Sequence, residues 1–113
     1  MKPEIGISEK NLKKSISLLE VTLADEMTLY TKTRKFHWNV SGESFMELHK
    51  LFQSHYTETE EVIDEVAERI LTLGYTPEHN YSVYARVSGI KESPRVTDGI
   101  RSVEQILEAF KTI

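Results

Sequence analysis

Apolar residues recur at Leu12, Ile16, Leu19, Leu23, Met27 and Tyr30, three and four apart, and Arg34 and His37 continue the same stripe. That spacing puts them on one face of an α-helix. Lys13, Lys14, Glu20, Asp25 and Lys32 fall on the opposite face, which is expected to meet solvent. No Gly or Pro interrupts residues 8–39. The pattern predicts one helix of about 30 residues, on the order of 45 Å long. Residues 1–7 contain a Pro and a Gly and read as a lead-in.

Asn39, Ser41 and Gly42 break the periodicity. Ser44, followed three residues later by Glu47, predicts a capping box at the start of a second helix. Its stripe is Phe45, Leu48, Phe52, Tyr56, Ile63, Val66, Ile70 and Leu73, with Gly74 as the stop and Pro77 shortly after. Two long helices joined by a short loop form an antiparallel hairpin. Tyr81, Val83, Tyr84 and Val87 predict a short connecting helix, punctuated by Gly89 and Pro94. A third long-helix pattern begins near Asp98, with Ile100, Val103, Ile106, Phe110 and Ile113 on one side. At about 15 residues it covers only half of the hairpin. The remaining apolar face is expected to be completed by further chain or by oligomerisation. The expected fold is all-α, one domain over residues 1–113.

Composition narrows the chemistry. The chain has 113 residues, with 14 basic against 18 acidic and a formal charge of −4. No excess of positive charge is available to drive generic binding to nucleic acid. With no cysteine, disulfides, thiolate catalysis and Cys-based zinc sites are excluded, so any metal must use His and carboxylates. No apolar run approaches the roughly 18 residues of a membrane span. The opening MKPEIGISEKN lacks the apolar stretch of a signal peptide, and a cytoplasmic protein is expected.

His37 ends the first helix and His49 lies in the second turn of the next, so the hairpin can bring them together. Read singly, each also fits a satisfied interfacial histidine. His55 and His79 are expected to face solvent. Glu58, Glu61 and Glu65 read as a solvated face. Glu60, Asp64 and Glu68 recur four apart, where like charges destabilise a helix by a few tenths of a kcal/mol per pair. A cation between Asp64 and Glu68 would relieve this. His49 and Asp64 are 15 residues apart on one helix, hence about 22 Å along its axis. One ion can use both sets only if two chains share it, and a two-fold axis would build that site twice per dimer. Two His and two carboxylates suit iron, manganese or zinc.

Lys35-Phe36-His37-Trp38-Asn39-Val40, then Gly42, Phe45, Leu48-His49, Leu51-Phe52, Asp64-Glu65, Ala67-Glu68-Arg69, Leu73-Gly74 and Pro77 resemble the Dps family, the ferritin-like mini-cages named as DNA-binding proteins from starved cells. The resemblance extends to Ser88-Gly89-Ile90-Lys91-Glu92. It implies a four-helix subunit, a hollow dodecamer, and ferrous iron (Fe2+) oxidised to Fe3+, usually by hydrogen peroxide, at sites between two-fold-related subunits. Carried over by position, it makes His37, His49, Asp64 and Glu68 the iron ligands and catalytic residues. Trp38 resembles the family tryptophan beside that site, with a packed interface aromatic as the alternative.

Three departures qualify the resemblance. The chain is expected to lack the rest of the third helix and the fourth, which puts cage assembly in question while the dimer site keeps its four ligands. Gln53 stands where many members place an acid one turn after the second histidine, which weakens the case for a second iron position. The N-terminal segment mixes Lys2, Lys10, Lys13 and Lys14 with Glu4 and Glu9, which does not support DNA binding through a basic arm. The alternatives are a non-catalytic DNA-compacting or structural protein, and a fragment that keeps the dimer metal site without forming a cage.

Overall fold

A computed structural model describes residues 6–42, 44–91 and 99–112. Helix α1 spans Glu9–Asn39, α2 Phe45–Thr72, α3 Tyr81–Val87 and α4 Gly99–Thr112. The fold is all-α, as the periodicities require. The predicted positions Asp98, Pro94 and Ile113 lie outside the described residues. The molecule is a rod of 55 × 22 × 22 Å, set by the length of the hairpin.

Each long helix has identifiable ends. Ser8 caps α1 by accepting from the Asn11 N–H at 3.3 Å, and Glu9 adds negative charge where the helix dipole favours it. At the far end of α2, Gly74 takes φ 89°. Its N–H donates to the Leu71 carbonyl, while the Tyr75 N–H reaches the Ile70 carbonyl at 3.2 Å. This crossed pair is a Schellman closure, and the Tyr75 and Ile70 side chains complete it by sharing one apolar cluster.

The predicted capping box at Ser44 does not form. Ser44 sits in the left-handed region at φ 61°, ψ 25°, and its side chain makes no cap bond. A capping hydroxyl needs an extended backbone to reach the next N–H groups. Here the Ser44 carbonyl accepts from Leu48 N–H and opens the helix.

The core has two parts. Near the hairpin turn, Leu29, Phe36, Val40 and Phe52 pack with Ile90, Ile106 and Ala109, so α4 and the stretch around Ile90 cover this half. Farther out, Ile16, Leu23 and Ile70 pack with Leu19, Ile63, Val66, Tyr75 and Tyr84. Helix α1 is therefore buried on two sides. Its stripe shifts from the predicted Met27 and Tyr30, which are half-buried, to Leu29, Thr33 and Phe36.

The same second side overturns the expectation that Asp25 and Lys32 face water. Both are buried. The Asp25 carboxylate accepts from Ser88 Oγ at 2.7 Å and from Gly89 N–H at 2.8 Å, and Lys32 Nζ donates to the Lys91 carbonyl at 3.0 Å. These bonds strap residues 88–91 onto α1. Burial lowers the Lys32 pKa, Lys35 nearby adds to the effect, and Glu108 opposes it. Beside Asp25, Glu26 is also buried. That burial pushes its carboxyl above the ordinary range, and the Asp25 charge adds to it.

Candidate metal centre

The hairpin turn returns the chain so that His37 and His49 meet, as the sequence predicts. Their rings stack at 3.7 Å between centroids, 17° from parallel. His37 Nδ1 lies 2.7 Å from the His49 carbonyl oxygen, and His49 Nδ1 lies 2.8 Å from the His37 carbonyl oxygen. A carbonyl can only accept, so each Nδ1 carries the proton and donates. That leaves Nε2 as the nitrogen of each ring able to ligate a metal. This is the arrangement in which an outer hydrogen bond fixes the tautomer and leaves the other nitrogen for a metal.

The pair sits in a column of rings. Phe45 stacks on His49 at 5.2 Å, and Tyr56 meets His37 at 5.3 Å and 75°. Arg34 lies over the Tyr56 ring at 4.4 Å and donates to the Tyr30 hydroxyl at 2.7 Å. Tyr30 and Tyr56 meet edge to face at 6.1 Å. The sequence placed Tyr30, Arg34 and Tyr56 only as members of packing stripes. Their spacings from the histidines, three and seven residues on one helix, were the available signal that they share the imidazoles' neighbourhood.

His37 is 8% exposed and His49 half-buried, so the pair is largely withdrawn from water. Trp38, next in sequence, is 66% exposed and stands 5.6 Å from the Arg34 guanidinium. Gln53, one turn beyond His49, is exposed.

Glu60, Asp64 and Glu68 lie on exposed positions of α2. Among the described residues no three His, Asp or Glu side chains converge on a point that could hold a metal. One chain thus brings the two imidazoles together and leaves the carboxylates elsewhere, in line with the helix arithmetic. His55 departs from expectation. It is half-buried, with its ring 5.8 Å from that of Phe110 on α4. His79 is exposed, as expected. No helix among the described residues is long and apolar enough to cross a membrane.

Comparison with known proteins places this geometry in a family. The ferritin-like domain family matches residues 16–113. An uncharacterised protein of Haemophilus influenzae is 39% identical over 112 residues, covering 99% of this chain and 70% of that protein. DNA protection during starvation protein 2 of Bacillus anthracis is 37% identical over 99 residues, covering 88% of this chain and 68% of that protein. The crystal structure of the Dps protein from Vibrio cholerae O1, described as a member of a broad superfamily of ferritin-like diiron-carboxylate proteins, superposes with a TM-score of 0.92 at 37% identity. It matches 97% of this chain and 69% of its own. The fold, the ring pair at the hairpin turn and these likenesses together show that the chain belongs to the Dps family of ferritin-like proteins.

Proposed function

We propose that this protein oxidises ferrous iron with hydrogen peroxide and serves iron storage and protection against oxidative stress. The observation that carries the proposal is the His37–His49 pair, with both Nδ1–H groups spent on main-chain carbonyls, which leaves Nε2 of each ring as the nitrogen able to ligate. Imidazole nitrogen with carboxylate oxygen is a donor set suited to iron. His37 and His49 are the nitrogen ligands. Asp64 and Glu68 are the oxygen ligands, supplied by a second copy of the chain across a two-fold axis. The separation of the two sets along α2, about 22 Å, supports sharing rather than a site within one chain. Iron is the substrate. Two ferrous ions give up one electron each, and one peroxide molecule with two protons becomes two waters. Pairing the electrons this way avoids releasing a hydroxyl radical. The imidazoles, largely withdrawn from water, hold the ion, and the carboxylates neutralise the charge gained on oxidation.

The test combines location and rate. In crystals soaked with ferrous iron, anomalous scattering should place the metal against His37 and His49 of one copy and Asp64 and Glu68 of another. In solution, His37→Ala and Glu68→Ala should each slow the peroxide-driven rise of ferric absorbance by at least about tenfold. Metal found only elsewhere, or unchanged rates, overturns the proposal. Light scattering distinguishes a dimer from a dodecamer. A salt-sensitive gel shift with DNA at neutral pH would favour DNA compaction, which the net charge of −4 opposes.

A further inference from the structure

We propose that Tyr56 is a positioning residue for the His37 imidazole, and that Arg34 acts on that imidazole only through Tyr56. This rests on the reading of His37 as a metal ligand. The hydrogen bond from Nδ1 to the His49 carbonyl and the stack on the His49 ring restrain His37 from one side. Neither stops the ring from sliding in its own plane or tilting about the Nδ1···O line. Tyr56 supplies the missing contact, 5.3 Å away and 75° from coplanar. Tyr56 is fixed in turn. It is seven residues beyond His49, on the same face of α2. The Arg34 guanidinium lies 4.4 Å from its centroid, and Arg34 is tied to Tyr30 through the phenol oxygen. Tyr30 itself meets Tyr56 edge to face. Arg34 stands one turn before His37 on α1, so the clamp and the ligand share one rigid helix.

The physical need is directional. A metal–imidazole bond tolerates only about 10–20° of misalignment before binding weakens. A cation over an aromatic face is attracted by the ring's quadrupole, and the Arg34 guanidinium so placed favours one position of the Tyr56 ring. The contact with His37 is a ring-to-ring contact, so the phenol hydroxyl is dispensable and a phenylalanine should serve.

The experiment titrates the intact protein with cobalt(II), a spectroscopic stand-in that accepts the same nitrogen and oxygen donors. Both the affinity and the visible ligand-field bands are recorded. Tyr56→Leu should bind cobalt about tenfold more weakly and show altered bands, while Tyr56→Phe restores both. Arg34→Met should weaken binding in the same direction. Combined with Tyr56→Leu it should add nothing, because both act on one path. Wild-type affinity and bands in Tyr56→Leu, or losses that add in the double variant, overturn the positioning role while leaving the metal site standing. Absence of cobalt binding by the wild type overturns the metal site and this inference with it. Should Tyr56→Leu fail to fold, Arg34→Met against Arg34→Lys carries the test. The lysine keeps a cation over the ring and should retain most of the affinity, and an equal loss in both overturns the clamp.

Discussion

His37 and His49 each donate Nδ1–H to the other's main-chain carbonyl, so the two ends of the hairpin turn are tied by a reciprocal pair of bonds at 2.7 and 2.8 Å. Removing one ring leaves one carbonyl without its donor and unstacks the other ring. His37→Ala is expected to lower the unfolding free energy by about 1–2 kcal/mol, read as a drop in the urea midpoint. Saturating cobalt should raise the melting temperature of the wild type and leave that of His37→Ala unchanged, since only an ion bound to the folded state stabilises it.

Sharing between chains has a signature that a site within one chain cannot give. His37→Ala and Asp64→Ala subunits should each be inactive alone. In a mixed dimer both lesions fall in one site, and the other site is whole. Co-refolding equal amounts should therefore recover about a quarter of wild-type oxidation, because about half of the dimers are mixed and each regains one of two sites. No recovery, in dimers shown to be mixed, contradicts sharing.

The strap over α1 is held chiefly by Asp25. Asp25→Ala leaves the Ser88 hydroxyl and the Gly89 N–H without their acceptor and should cost about 1–3 kcal/mol in urea unfolding. Asp25→Asn keeps an acceptor oxygen and should cost less.

Glu26 gives a pH dependence of known sign. Its carboxyl is raised by burial first and by Asp25 second, so the folded chain holds the proton more tightly than the unfolded chain. Its contribution to stability is complete below the ordinary glutamate range and is lost as pH rises through the folded value. Glu26→Gln should accordingly melt a few degrees higher than the wild type at neutral pH, with the gain closing under acid. Melting curves across pH check both parts.

The readable part of this molecule was whatever one helix's own periodicity or end chemistry decides. Leu12, Ile16 and Leu23 announce α1, Gly74 announces the end of α2, and a short loop is enough to bring His37 to His49. What periodicity could not reveal was the second side of α1. Asp25 and Lys32 look like solvent residues until a segment more than 50 residues later settles on them, and nothing local to α1 encodes that. Ser44 failed for a related reason, since the sequence shows a hydroxyl at a capping position and the turn geometry decides where it points. The imidazole tautomers were invisible because their partners are main-chain carbonyls, which every residue carries. The row of acids was legible as a row, and under the proposed function its partner would come from another copy of the chain.

Apart from the Ser88 hydroxyl, α1 grips its strap by main-chain atoms, the amide of Gly89 and the carbonyl of Lys91. At position 91 such an anchor reads length and is blind to spelling. New side chains at position 91 leave its hold intact, whereas losing a single residue from 89–91 takes the Lys91 carbonyl out of register with Lys32. Drift in lettering is thus cheap at position 91, costly at Ile90, which the core buries, and at Gly89, where an added Cβ would meet Thr112 Cγ2 at 3.1 Å.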